Sequence, residues 1–159
     1  MQELKLLSII IIANGAPVFA HWVFKSRWAF PLDFGICFFD GKPLLGSSKT
    51  IRGIFFALVF SIIAAVILGF SWKIGLIIGA SAMLGDLLSS FSKRRLGLKP
   101  SSQAIGLDQI PESLFPLLAV APVFGLEWQQ ILILVFVFIV FNLVFSRILY
   151  KLKIRKKPY

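Results

Sequence analysis

Five apolar runs set the limits on what this chain can fold into. They cover roughly residues 4–24, 54–70, 74–88, 113–126 and 131–150, and charges or turn residues separate them. A helix that crosses a bilayer needs about 20 apolar residues, and fewer where the membrane is thinned. The fourth run is the shortest, so a full crossing and a re-entrant segment both stay open for it. The first run continues past Ala13-Asn14-Gly15 through Pro17, Val18 and Phe19 to Trp22. That is too long for a signal-peptide core, and it reads as a span. The chain is 58% apolar and 15% charged, against about half and a quarter in soluble domains. The expected fold is an all-α integral membrane protein of about five transmembrane helices, with residues 1–159 forming one membrane-embedded domain.

The cations give a second, independent constraint. A net charge of +10 on a soluble chain would suggest a nucleic-acid partner. Here the charges sit between long apolar runs, which points to a membrane and away from nucleic acid. With the N-terminus outside and five crossings, three clusters share the cytoplasmic side. The first holds Lys25, Arg27, Lys42, Lys49 and Arg52; the second holds Lys93, Arg94, Arg95 and Lys99. The third, at the C-terminus, holds Arg147, Lys151, Lys153, Arg155, Lys156 and Lys157, leaving only Lys5 and Lys73 outside. Such asymmetry fixes orientation by the positive-inside rule, and an even number of crossings would split the clusters. The two long loops, about 25–53 and 89–112, therefore face the cytoplasm with the C-terminus. The tail KLKIRKKPY reads as a topology anchor that meets anionic headgroups.

The first long loop reads PLDFGICFFDGKPLLGSSKTIRG over residues 31–53. Asp40-Gly41-Lys42-Pro43 has the composition of a turn. Ser47, Ser48, Lys49 and Thr50 follow Gly46, and hydroxyls, exposed N–H groups and a lysine together suit phosphate oxygens. The spacing is not that of a P-loop, and no strand precedes it. A charged membrane flank would explain the same residues, so both readings stand at this point.

The second loop begins in GDLLSSFSKRRLGLK, residues 85–99. On a helix, Asp86, Ser90 and Lys93 share one face. A carboxylate at the edge of hydrocarbon costs about 2.5–3.5 kcal/mol and wants a partner. Lys93 could serve as an ion-pair partner; a metal ion is the other candidate. LDQIPES follows at 107–113, with Pro111 suited to the first position of the fourth helix and Glu112 to its first turn. Asp86, Asp108 and Glu112 at one cytoplasmic mouth would offer hard oxygen ligands for Mg²⁺, with waters and phosphate oxygens completing the shell.

GDLLSSFSKRRLGLK followed by LDQIPES resembles the signature of the CDP-diacylglycerol synthases, or phosphatidate cytidylyltransferases. The small size, the five spans and the PLDFG…DGKPLLGSSKTIRG loop resemble still more closely the CDP-archaeol synthases, their short relatives acting on ether lipids. The resemblance covers most of the chain. It implies a Mg²⁺-dependent reaction between CTP and a membrane lipid phosphate, archaetidic acid-like or phosphatidic acid, giving a CDP-lipid and pyrophosphate. It implies that Asp86 and Asp108 hold the metal. It implies that Ser90, Lys93 and Arg94 line the nucleotide and phosphate region, and that Ser48, Lys49 and Thr50 contact phosphate. Two departures stand out. Pro111 occupies the place of the family's second aspartate, and Glu112, one residue later, is expected to replace it. The glycine-histidine-rich segment of the larger relatives is absent before Asp108.

The chemistry asks for no general base, because a phosphomonoester already carries much of its second charge at neutral pH, with a pKa of about 6. Asp86, Asp108 and Lys93 are the residues expected to carry catalysis. A small transporter or lipid-binding scaffold is the alternative class, although a transporter would place its polar groups near the midplane. A non-catalytic paralogue is a third reading, suggested by Pro111. Asn14, Gly15 and Pro17 interrupt the first span and suit helix packing or a lipid groove, and His21 suits an interfacial position. Gly75 and Gly79 form a GxxxG pair that fits close helix contact within one protomer or between the two protomers of a homodimer. Cys37, the single cysteine, excludes an internal disulfide and a thiolate metal cluster.

Overall fold

The computed structural model describes residues 1–100, 102 and 104–151. The tail at 152–159, and with it most of the expected topology anchor, lies outside the described residues. Five helices follow one another: α1 (Gln2–Phe24), α2 (Ile51–Ile67), α3 (Trp72–Arg95), α4 (Gln109–Phe124) and α5 (Trp128–Lys151). By length and apolarity α1, α3 and α5 are each sufficient to cross a membrane. At ~1.5 Å per residue, the 17 residues of α2 and the 16 of α4 span about 25 Å, slightly less than a hydrocarbon core of about 30 Å.

Helix ends follow local chemistry as well as apolarity. Thr50 caps α2, its hydroxyl accepting from Gly53 N at 3.1 Å, so this helix starts ahead of its apolar run. The last turns of α3 are polar, yet the helix continues to Arg95. Lys93, Arg94 and Arg95 complement the negative end of its dipole. Pro111 is the third residue of α4, not the first. First-turn N–H groups have no intrahelical acceptor, so the ring removes no hydrogen bond there.

α3 packs against α1, α2 and α4, while α5 leans on α4 and α1. Leu6, Ile9 and Ile10 of α1, Ile78 of α3, Leu117 and Val120 of α4 and Phe138 of α5 meet in the core. Two glycine contacts set the helix spacing around α3. A methyl on Gly75 would lie 2.5 Å from Ser61 O, and one on Gly79 would overlap Ser61 Oγ. The GxxxG pair thus serves α2–α3 contact inside the protomer. On the opposite side, Gly85 lies so close to α4 that a methyl would overlap Pro111 O and come within 2.8 Å of Glu112 N.

Between α1 and α2 the chain is held by isolated bridges, Pro31 with Thr50 and Cys37 with Pro43. Asp33 organises it. This buried carboxylate accepts from Gly46 N at 2.8 Å, Leu45 N at 2.9 Å and Gly35 N at 3.1 Å. Arg52, also buried, ties the far end down by donating to Arg27 O and to Lys25 O. The loop is thereby folded back over the end of α3.

Candidate active site

The Gly85–Pro111 approach is what assembles the site. Asp86 follows Gly85 and Glu112 follows Pro111, so the contact sets the two carboxyl groups within hydrogen-bonding reach of each other. Lys49 arrives from the loop before α2 and pairs with Asp86 at 2.5 Å. The adjacent turn of chain gives a second pair, Lys93 with Asp108 at 2.6 Å. Lys93 also donates to Ser102 O at 3.1 Å. The two pairs are neighbours, because Lys49 is within electrostatic range of Asp86, Glu112 and Asp108 alike. Burial by itself lowers the Lys49 ammonium's pKa. The three carboxylates outweigh that effect and hold it above the ordinary lysine value.

Lys93 is therefore not the partner of Asp86. Seven residues along a helix amount to about 10 Å at ~1.5 Å each, beyond ion-pair range along one face. The partner of Asp86 comes from the other loop, 37 positions away in sequence.

Arg94 is almost wholly buried beside Lys93. One terminal nitrogen donates to Lys99 O at 2.9 Å, while Nε and Nη1 find no acceptor among the described residues. Gly46, at φ 90°, comes up against it; a methyl there would lie 3.3 Å from Arg94 Nη1. A buried guanidinium with two unpaired donor nitrogens suits an anion, and phosphate oxygens accept strongly from such a charge. Ser90 is buried one turn past Asp86, and Ser48 is exposed on the loop. Thr50 lies at the mouth but spends its hydroxyl oxygen on the α2 cap. Asn14 donates to Ile10 O at 3.0 Å and to Glu112 O at 3.4 Å, tying α1 to the same cluster.

The donor set fits a hard divalent cation. Two carboxylates side by side in a low-dielectric setting require a proton or a cation between them, and carboxylate oxygens suit Mg²⁺. Among the described residues, no group of three or more His, Cys, Asp or Glu side chains closes into a ready metal cluster. Asp86 and Glu112 form a pair, and Asp108 stands beside them in the hold of Lys93.

Sequence reasoning missed Asp33 and Arg52. The signal for Asp33 was present in Asp-Phe-Gly: Phe34 and Gly35 both take positive φ, 49° and 79°, as a side-chain-capped turn demands. Arg52 looked like one more flanking cation.

Acidic and cationic groups gathered at one end of a bundle of apolar helices mark a multi-pass membrane protein with a charged site at one end. The family CarS-like CDP-archaeol synthase matches residues 5–159. The CDP-archaeol synthase of Sulfurisphaera tokodaii is 36% identical over 94% of this chain and 90% of its own. That of Saccharolobus islandicus is 33% identical over 97% and 96%. A solved intramembrane enzyme of archaeal membrane lipid biosynthesis superposes with a TM-score of 0.71 at 29% identity, over 88% of this chain and 89% of that one. The chain belongs to the CDP-archaeol synthase family, and so to the CTP-dependent nucleotidyltransferases.

Proposed function

We propose that this protein transfers a cytidylyl group from CTP to the phosphate of a membrane ether lipid, releasing pyrophosphate, with Mg²⁺ held by Asp86, Glu112 and Asp108. The observation that carries the reading is the meeting of Asp86 and Glu112 across the Gly85–Pro111 contact, ringed by Lys49, Lys93 and Arg94. The ether lipid is preferred because the products named for the relatives are CDP-archaeols. In this reading the N-terminus is outside and the site faces the cytoplasm, where CTP is available; the distribution of cations supports that orientation.

The physical problem is bringing two anions together in line. A lipid phosphate oxygen attacks the α-phosphorus, a new P–O bond forms, and the bond to the bridging oxygen breaks as pyrophosphate leaves. Bound Mg²⁺ would neutralise phosphate charge and help align the reacting groups. Arg94 offers its two free donors to the departing phosphates. Lys49 and Lys93 are held in place by their carboxylates before substrate arrives and supply charge without further ordering. Ser90 and Ser48 orient oxygens, and Thr50 fixes the loop through its cap. A groove of about 510 Å³ between α1 and α5, with Phe19 and Phe141 among its lining residues, also includes Asn14. Asn14 touches Glu112, so the groove suits hydrocarbon chains whose phosphate lies in the site.

The test is a product assay. Purified protein receives labelled CTP, Mg²⁺ and a panel of lipid phosphates with ether and ester linkages and with saturated and polyprenyl chains. The expected result is a CDP-lipid from an ether substrate. Absence of CDP-lipid from every substrate would contradict the reading.

A further inference from the structure

The loop before α2 carries a feature that the proposed chemistry does not use. Residues 36–44 form a small hairpin. Phe38 N donates to Lys42 O at 2.8 Å, and Leu44 N donates to Ile36 O at 2.9 Å. The chain reverses at Gly41, at φ 72°. At its tip Phe39 is 100% exposed, and Ile36 and Phe34 on the approach are 58% and 73% exposed. Rings so fully presented usually mean a surface is meant to be covered.

The hairpin is fixed in position. Arg95, the last residue of α3, pairs with Asp40 and donates to Pro43 O at 2.5 Å. Its guanidinium lies against the rings of both Phe38 and Phe91, 4.8 and 5.0 Å from their centroids. Lys42 returns a bond to Arg95 O at 2.9 Å. Phe38 meets Phe91 edge to face at 5.5 Å. The clamp therefore faces α3 with Phe38 and leaves Phe39 directed elsewhere.

Phe91 fixes the depth of the hairpin. α3 begins at Trp72, a residue type that favours the membrane boundary. At ~1.5 Å per residue, Phe91 lies about 28 Å along the helix, close to the full hydrocarbon thickness of about 30 Å. Tilt of α3 would set it deeper. With Trp72 at one boundary, the hairpin packed on Phe91 would fall level with the opposite headgroup–acyl boundary. The start of the same loop is also aromatic: exposed Trp28 packs on Phe24, the last residue of α1, at 5.8 Å.

We propose that the 36–44 hairpin is an interfacial membrane anchor, with Phe39 inserted at the headgroup–acyl boundary of the leaflet where α3 ends. Lys42 and Arg95 keep their cationic heads at headgroup level while their stems lie against apolar surface. The occupant of this face is the lipid bilayer itself. The anchor couples the membrane to the loop that delivers Lys49, and it does so whether or not the proposed reaction is correct.

Cys37 supplies the probe. It is the chain's single cysteine, it is exposed, and it lies in the same hairpin two residues before Phe39, at the bridge to Pro43. A nitroxide on Cys37 of the full chain in bilayer nanodiscs is examined by EPR power saturation. Lipid-dissolved oxygen is expected to relax it more strongly than an aqueous nickel chelate. Stronger relaxation by the chelate would overturn the proposal. Dipolar broadening that disappears on dilution with unlabelled protein would also overturn it, because a second copy would then cover the face. Phe39→Ser leaves the packed core untouched and should shift the label toward the chelate. No shift would remove Phe39 as the anchor.

Discussion

Gly85 of α3 and Pro111 of α4 lie so close that no side chain fits between them. This contact places Asp86 against Glu112. Gly85→Ala should force the helices apart or strain them, at a cost of about 1–3 kcal/mol. A displacement near 1 Å at the reacting groups costs up to about 10²-fold in rate. Thermal unfolding and CDP-lipid formation, measured on one preparation, should show a modest fall in Tm with a much larger fall in activity. Unchanged activity would mean that the Asp86–Glu112 contact is dispensable.

The Lys93–Asp108 pair separates structural from catalytic roles. Asp108→Asn leaves the buried Lys93 ammonium without its counter-charge, a change worth about 3–5 kcal/mol in buried pairs. Lys93→Met combined with Asp108→Asn should recover much of the stability and none of the activity. A double variant that turns over CTP would show that the pair acts only in folding.

Much of this architecture was legible in the residues. The apolar runs marked all five helices, and Gly-Asp followed by Lys-Arg pointed to residues that lie together in the candidate site. The partners of those residues were not legible. Helical phase put Lys93 on the face of Asp86, yet Lys93 reaches Asp108 and Lys49 reaches Asp86. Those pairings depend on how far a loop folds back, which spacing along one helix cannot express. Asp-Phe-Gly signals the local turn of Asp33 with Gly35, but its bonds from residues 45 and 46 exist only once those residues return to it. The GxxxG pair fitted contact within or between protomers until Ser61 was seen against it.

Asp33 gives a pH prediction. Burial alone raises the pKa of its carboxyl, but donors from Gly46, Leu45 and Gly35 outweigh that and hold it below the ordinary 3.8. A depressed folded-state pKa stabilises the loop above the unfolded value, and this contribution disappears as pH falls through the folded value. Loop protection measured by hydrogen exchange at 45 and 46 should therefore persist at mildly acidic pH and fail below about the normal aspartate pKa of ~3.9. Asp33→Asn should remove that acid dependence and loosen the loop at all pH values.

Gly79→Val tests where the GxxxG pair acts. Its added atoms would overlap Ser61, so unfolding should come about 1–3 kcal/mol sooner, the usual cost of overpacking. The oligomeric state by light scattering in detergent should not change. Dissociation of an oligomer without loss of protomer stability would place the pair between protomers.

In the proposed reaction Asp86 and Glu112 hold a divalent ion together with CTP. Manganese binding followed by EPR, with CTP present, tests it directly in the native protein, Asp86→Asn and Glu112→Gln. Loss of even an outer partner of a metal ligand costs about 10–100-fold in affinity. Each variant is predicted to bind the ion at least about tenfold more weakly while keeping its helical content. Unaltered manganese affinity in both variants would contradict the account.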